Sequence, residues 1–149
     1  MDYDTFKLIH SELIMSMQYI EQDLKIIYAT LKSGNYDDNF KIISEAPLGK
    51  VLIEFRKLDS ELGYPKIKEK ASELLDEIRE IRNYWCHQCY LDFHYYEDPE
   101  EHAEAFIKVA EKLHFDELRV YDLQQRIEKF RIATVKKHNQ RNCKGTTLK

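Results

Sequence analysis

Residues 3–32 read YDTFKLIHSELIMSMQYIEQDLKIIYATLK, and the spacing of their apolar side chains decides the fold class. Apolar residues recur every three or four positions along this stretch, interrupted only by Ser16. Such a pattern is typical of a long amphipathic helix with one buried stripe. The predicted stripe comprises Phe6, Ile9, Leu13, Ser16, Ile20, Leu24, Ile27 and Leu31. Gly34 and its neighbours predict the end of this helix.

Three further segments carry the same helical periodicity. The second helix is predicted over about residues 48–62, the third over about 66–91, and the fourth from Asp98 to about Lys137. A loop or short helical turn is expected over residues 36–47. No segment shows the alternation of a strand. We therefore predict an all-α fold, an antiparallel four-helix bundle with a short extra helical turn between the first two long helices.

The ends of these helices are marked by residues with strong local preferences. Pro65 ends the second helix, because a residue before proline avoids the helical region. Asp98 is suited to cap the fourth helix, Pro99 fits its first turn, and Glu101 completes a capping box. The core positions expected on the third helix are Ile67, Ala71, Leu74, Ile78, Ile81 and Trp85. On the fourth helix they begin with Ala103, Phe106, Ile107, Ala110 and Leu113.

Composition and length restrict the class of protein further. The chain has 149 residues, enough for one domain with a real core, and 34% of them are charged, with only four glycines and three prolines. This composition favours long helices. No apolar run is long enough to span a membrane. The three cysteines do not suggest a disulfide framework, and we expect a cytoplasmic protein.

Charge is distributed unevenly along the chain. The net charge is -4, but the residues from Arg119 onward include nine basic and two acidic side chains. A basic end of this kind could lie along a phosphate backbone or could simply be a solvated tail. We predict that residues 1–137 form the helical domain and that residues 138–149 form a basic, flexible C-terminal tail.

The residues best suited to catalysis or ligand binding lie on the third helix. Successive residues of a helix are about 100° apart, so the third helix has a flank that lies outside its core stripe. This flank combines hydrogen-bonding and aromatic side chains, and no acidic residue occurs between Ile81 and Leu91. Guanidinium groups bind phosphate in a bidentate manner, and imidazole transfers protons near neutral pH. The residues concerned are Arg79, Asn83, Cys86, His87 and Tyr90, with Arg82 at the margin of the core stripe. The flank is therefore suited to phosphodiester chemistry.

The hexapeptide RNYWCH at residues 82–87 fits the R-x4-H pattern of the HEPN superfamily, which the chain resembles. The motif lies near the end of the third long helix, where that family carries it. The sequence PLGKVL at residues 47–52 is also similar to some HEPN proteins. The resemblance covers about residues 3–137 and includes the helical plan.

The resemblance implies a homodimeric, metal-independent endoribonuclease without a cofactor, plausible as a toxin or phage-defence component with a cognate antitoxin protein. It implies that Arg82 binds the scissile phosphate of the RNA substrate and that His87 acts as general base or acid. Asn83 would orient the phosphate or the partner residue. Apart from the resemblance, the position of Arg79 and Tyr90 on the same flank predicts that they contact substrate. Arg82 and His87 point about 140° apart, so a single helix cannot easily focus both on one atom. A two-fold axis next to this face could bring the pairs of two protomers together. Position 89, where one HEPN branch has a modified tyrosine, is Cys89, so that modification is not expected.

The same residues fit several other interpretations. Arg82 could pair with a glutamate of a neighbouring helix while His87 fills a core or interface position. The fold could serve as a non-catalytic module for dimerisation or partner binding. It could also bind a nucleotide through Arg79 and Arg82. Many aromatic residues between Tyr84 and Tyr96 could stack on RNA bases or seal the bundle.

A metal site is the last alternative. Cys86, Cys89 and His94 could supply ligands, but a structural zinc site usually has two ligand pairs, and the sequence has no second cysteine pair. Cysteines three apart in a helix are more often packed thiols. We therefore predict no metal ligand in this chain.

Overall fold

In the computed structural model, which describes residues 1–62 and 69–146, the chain forms six α-helices and no strand within those ranges. The predicted all-α class is confirmed. The helices are α1 (Tyr3–Leu31), α2 (Tyr36–Ser44), α3 (Leu48–Glu61), α4 (Glu69–His87), α5 (Leu91–His94) and α6 (Pro99–Thr146). None of the helices in the described ranges has the length and apolarity needed to cross a bilayer.

Helix α1 is the central element, since it packs against α2, α3, α4 and α6. Most of the predicted stripe is buried, including Phe6, Leu13, Ile20 and Ile27, each at most 1% exposed. The helix begins at an N-cap, Asp2, whose carboxylate accepts a hydrogen bond from the Thr5 backbone N–H at 2.8 Å.

The connection from α1 to α2 is held by one buried amide. The Nδ2 of Asn39 donates to the backbone oxygens of Ala29, Lys32 and Ser33 at 3.3, 3.0 and 3.4 Å. These carbonyls would otherwise lack partners at the end of α1. Gly34, at φ 102°, supplies the left-handed residue of the turn. The predicted short helical segment after this turn is α2.

Helices α3 and α4 contribute one face each to the core. The buried residues of α4 are Ala71, Leu75, Ile78, Ile81 and Trp85. Leu75 is fully buried, whereas Leu74, the residue predicted for the stripe, is only half-buried. Leu75 takes the core position because adjacent leucines both fit a 3.6-residue period, and tertiary packing selects between them. The predicted start of this helix, with Ile67 and the stop signal at Pro65, lies outside the described residues.

Helix α6 is the longest element, with 48 residues. It begins where predicted, because the Asp98 carboxylate accepts hydrogen bonds from the backbone N–H groups of Glu100 and Glu101 at 3.1 and 3.0 Å. It continues to Thr146, beyond the predicted end near Lys137. Ala103 and Ile107, predicted for the core, are exposed. The stripe that faces the interior comprises Val109, Leu113, Val120, Leu123 and Ile127.

Candidate functional site

The exposed face of α4 holds most of the residues singled out by the sequence. Arg79, Asn83, Cys86 and His87 are exposed, and Arg82 is half-buried. These positions recur three and four apart, so they share one flank of the helix. His87 is the last residue of α4. The motif therefore lies at the end of a helix whose opposite face is anchored in the core.

Arg79 and Arg82 differ from most arginines in the chain, because they have no carboxylate partner among the described residues. Ion pairs of 2.7–2.9 Å are formed by Arg56, Arg119, Arg126 and Arg131. Within residues 1–62 and 69–146, His87 and Asn83 likewise make no side-chain hydrogen bond. The alternative in which Arg82 is neutralised by a glutamate of a neighbouring helix finds no support in these contacts.

The guanidinium of Arg79 lies over the first turn of α3. A methyl group added to the Cα of Gly49 would lie 3.4 Å from Cδ and Nε of Arg79. Helix α3 begins at Leu48 after Pro47, which has no side chain able to cap it. The free backbone N–H groups of such a turn carry partial positive charge. A cationic side chain and an uncapped helix start thus meet at one place beside the motif.

The end of α4 has an unusual hydrogen-bond pattern. The backbone N–H groups of Gln88 and Cys89 both donate to the Tyr84 oxygen, at 2.9 and 3.1 Å. The second bond spans five residues, so the carbonyl of Trp85 is left without the amide partner it would have in a regular helix. Two side chains take that place. His10 Nε2 lies 2.8 Å from the Trp85 oxygen, and the Cys89 thiol lies 3.3 Å from it.

His10 of α1 was not predicted as part of this region. Because a carbonyl only accepts hydrogen bonds, Nε2 of His10 donates its proton to the Trp85 oxygen. The Tyr90 hydroxyl lies 3.4 Å from Nδ1. The imidazole also stacks on Phe6 at an interplanar angle of 2°. The available signal was its position four residues after Phe6, at the edge of the buried stripe.

Tyr90 is turned toward α1. Its ring packs edge-on against Phe6 and His10, and it makes no hydrogen bond with Arg79 or Arg82. Burial raises the pKa of the Tyr90 hydroxyl, and the neighbouring Cys89 adds to this effect. Tyr90 therefore supports the end of α4 from the side of α1, while its predicted contact with substrate stays a prediction.

Trp85 anchors the motif from the core side. Its indole N–H donates to Oδ2 of Asp116, a fully buried carboxylate of α6, at 2.8 Å. Asp116 is also paired with Arg119 at 2.9 Å and with Lys112 at 3.1 Å. A buried carboxylate is tolerated when it is paired and hydrogen-bonded in this way. The network fixes the orientation of α4 against α6.

Tyr84, the next residue toward the N-terminus, fastens the helix end to α5. The Tyr84 hydroxyl donates to Asp92 at 2.8 Å, and Gln88 donates to the other oxygen of the same carboxylate at 2.8 Å. Burial, together with the nearby charge of Asp92, raises the pKa of Tyr84. The two aromatic residues within the motif thus have structural roles, and the outward-facing polar residues are not engaged by them.

The two cysteines near the motif have different environments. Cys86 is exposed, whereas Cys89 is buried and hydrogen-bonds to the backbone. Burial raises the pKa of the Cys89 thiol to about 11. No group of three or more potential metal ligands is found in the described ranges.

Comparison with protein-family models, with curated proteins and with solved structures gives no match for this chain. Function is therefore inferred from the sequence motif and from the geometry of α4.

Proposed function

We propose that the chain is a metal-independent endoribonuclease of HEPN type that acts as a homodimer on cytoplasmic RNA, in the role of a toxin or phage-defence component with a cognate antitoxin. The observation that carries the proposal is the pair of arginines, Arg79 and Arg82, that are held without carboxylate partners on the motif-bearing helix of a chain rich in acids. Desolvated or unpaired guanidinium groups favour an anionic ligand.

The helix start beside Arg79 supports a phosphate as that anion. Free N–H groups at an uncapped first turn, here at Leu48 and Gly49, attract phosphate oxygens. Arg79 lies over that turn, and Arg82 is one turn further along the same helix. A phosphodiester backbone passing here would contact both guanidinium groups.

The chemistry follows from one arginine and one histidine per protomer. His87 of one protomer removes the proton from the ribose 2′-hydroxyl, and the 2′-oxygen attacks phosphorus. The bond from phosphorus to the 5′-oxygen breaks, and that oxygen takes a proton from the second histidine of the dimer. Arg82 stabilises the charge that develops on the phosphate, and Asn83 orients it. The products are a 2′,3′-cyclic phosphate and a 5′-hydroxyl end.

The direct test is RNA cleavage by the purified chain with EDTA present. Arg82→Ala and His87→Ala are expected to abolish cleavage while circular dichroism stays unchanged. Arg126→Ala removes a different exposed arginine, which is paired with Asp122, and should leave the rate intact. Cleavage that persists in both motif variants, or an absence of cleavage in the wild type against a panel of structured and unstructured RNAs, would overturn the proposal.

Titration calorimetry with nucleotides distinguishes a nucleotide-binding role of the same face from the ribonuclease role. Arg79→Ala and Arg82→Ala would weaken binding of a nucleotide in a chain that never cleaves RNA. A ribonuclease is instead expected to lose cleavage in the Arg82 variant and to bind mononucleotides weakly in every form.

A further inference from the structure

A pocket lies at the end of the bundle where α1 and α3 finish and α6 continues. Helices α1 and α6 run in the same direction, since the rings of Phe6 and Phe106 lie 5.3 Å apart and Asp23 pairs with Arg131 at 2.9 Å. Helix α1 ends at Leu31, and α6 continues beyond that level. Where the neighbouring helices end, the side of α6 that faced them borders a cavity of about 290 Å³. This cavity is called the end pocket below.

The walls of the end pocket are largely apolar. Leu31 of α1, Leu62 after α3 and Phe130 of α6 supply this surface, and each also packs against the core. Two threonines, Thr30 and Thr134, line the same cavity. A volume of this size, with apolar walls and a few polar groups, is at the lower end of the range for small-molecule sites.

The first indication of a ligand is the hydroxyl of Thr134. This residue is only 8% exposed, and within residues 1–62 and 69–146 its hydroxyl makes no hydrogen bond. Thr30 is equally buried but donates to the Ile26 oxygen at 2.7 Å, the usual bond of a threonine inside a helix. A buried hydroxyl without a partner is unfavourable unless another group satisfies it. A ligand in the end pocket would supply the missing partner.

The second indication is the charge of the pocket. Lys137, His138 and Arg141 line it, and none of the described lining residues is acidic, although the chain has more acidic than basic side chains. The three basic residues follow Thr134 at three, four and seven positions, so all four share one flank of α6. Lys137 and Arg141 form no ion pair with any described residue. The pocket therefore favours an anionic ligand.

Basic residues near the end of a helix often neutralise its last carbonyl groups. Here the end of α1 is satisfied by other donors, because Asn39 donates to three carbonyl oxygens and the Lys32 N–H donates to the Tyr28 oxygen at 2.9 Å. At the end of α3, the Leu62 N–H donates to the Leu58 oxygen at 3.1 Å. In the described ranges, none of the three basic side chains bonds to these carbonyls. Their charge is available to a ligand.

We propose that the end pocket binds a small organic anion, a carboxylate or a phosphate monoester, with an apolar body. The guanidinium of Arg141 and the ammonium of Lys137 hold the anionic group. The Thr134 hydroxyl donates to one of its oxygens. The apolar body packs against Phe130 and Leu62, with an aromatic ring suited to the face or edge of Phe130.

The end pocket is remote from the α4 face. His10 contacts the end of α4 near the start of α1, whereas Thr30 lines the pocket near the end of α1. These two positions are about 30 Å apart along the helix. A ligand in the pocket does not reach Arg82 or His87, so this proposal and the ribonuclease proposal can fail independently.

The test is titration of the full chain with phenylacetate and with phenyl phosphate, followed by amide NMR spectra. We expect saturable binding of at least one probe, with shifts confined to amides around the end pocket, such as those of Leu62 and Thr134. Acetate and inorganic phosphate test the anionic group alone, and phenylacetamide tests the apolar body with a neutral group. Each of these should bind at least about tenfold more weakly. The tighter probe identifies the anionic group as carboxylate or phosphate.

Matched variants assign the binding to the pocket. Arg141→Ala and Thr134→Val should each weaken binding of the tighter probe about tenfold, since each removes a hydrogen bond to a charged group. Arg126→Ala changes another exposed arginine of α6, one paired with Asp122, and should leave the affinity unchanged. Thr134→Val should not lower the melting temperature of the protein without ligand, because it removes a buried hydroxyl that has no partner.

The proposal is overturned if neither probe binds at low millimolar concentration, or if Arg141→Ala and Thr134→Val bind as tightly as the wild type. Equal binding of phenylacetamide and phenylacetate would also overturn it, as would acetate or inorganic phosphate binding as tightly as the probes. Shifts at the pocket caused by a short RNA, but by neither probe, would overturn it and assign the basic side chains to an RNA backbone. RNA cleavage by the same samples reports separately on the α4 face.

Discussion

The imidazole of His10 donates a hydrogen bond from Nε2 to the backbone oxygen of Trp85, over a distance of 2.8 Å, and so connects the first turns of α1 to the last turn of α4. His87 follows Trp85 by two residues and is the last residue of that helix. A side chain 75 positions earlier in the sequence therefore holds the end of the helix that carries the motif. It satisfies a carbonyl that the local helix geometry leaves without an amide partner.

We expect His10→Ala to destabilise the protein by roughly 1–3 kcal/mol, because a partly buried carbonyl loses its main donor and Phe6 loses a stacked ring. Urea unfolding followed by circular dichroism measures the change. Ser11→Ala is the control, since the Ser11 hydroxyl bonds only to the preceding turn of α1. His10→Gln keeps an amide donor and should recover part of the loss. Equal stability of the His10→Ala and Ser11→Ala variants would contradict this role.

Asp116 gives a second prediction about stability. Asp116→Ala should cost roughly 1–3 kcal/mol, because it leaves the buried indole N–H of Trp85 without its acceptor. Asp122→Ala removes another carboxylate of α6, one in an exposed pair with Arg126, and should cost only about 0–1 kcal/mol. Thermal unfolding of the two variants side by side tests the difference. A similar melting temperature for both would show that the buried network contributes little.

The two cysteines near the motif should react at very different rates. With a pKa of about 11, only about one in a thousand Cys89 thiols is ionised at pH 8, and the sulfur is also buried. Cys86 is exposed and should be alkylated first. Peptide mapping by mass spectrometry after brief treatment with a maleimide measures both sites. Labelling in urea should remove the difference. Rapid labelling of Cys89 in the native protein would contradict the buried position.

Asp23 leads to a prediction about pH. Burial raises the pKa of Asp23, although Arg131 lies 2.9 Å away and acts in the opposite direction. The folded state then binds this proton more readily than the unfolded state does. Stability contributed by Asp23 is therefore present at low pH and is lost as pH rises through the titration range of the carboxyl group.

Asp23→Asn should remove this dependence. The free energy of unfolding of the variant, relative to the wild type, is expected to increase between about pH 4 and pH 7. As the pH rises, ionisation of the buried Asp23 carboxyl destabilises only the folded wild type. Urea titrations at several pH values within that range measure it. Glu12→Gln, at an exposed position of the same helix, is measured alongside as the control for loss of a carboxylate from α1. A relative stability that falls with pH would show that Arg131 outweighs burial.

Local sequence signals predicted the elements that depend on local rules. The stripe of α1 was identified through Phe6, Leu13 and Ile20, because a long uninterrupted period averages out ambiguous positions. The start of α6 at Asp98 was identified because its capping residue acts within three positions. The exposed flank with Arg79, Asn83 and His87 was also predicted, since the same period that defines the buried face defines the opposite one.

Features that depend on tertiary packing were not predicted. Leu75 instead of Leu74, and Val109 instead of Ile107, are selected by the neighbouring helices and not by local periodicity. His10 is far from the motif in sequence, and its role depends on the five-residue hydrogen bond at Cys89. The absence of a carboxylate near Arg82, within the described residues, also depends on where other helices place their acids. The division of the chain at residue 137 stays a prediction.

The two halves of α6 carry opposite net charge, since residues 99–118 contain six acidic and two basic side chains and residues 119–146 contain eight basic and two acidic ones. Acidic side chains sit near the positive end of the helix dipole and basic ones near its negative end, an order that opposes the fraying of a 48-residue rod. The same order gives this helix, about 72 Å long, an electric dipole moment directed from its acidic beginning to its basic end. At low ionic strength, this dipole moment orients the molecule relative to a charged surface before contact. Added salt screens the interaction and weakens that orientation.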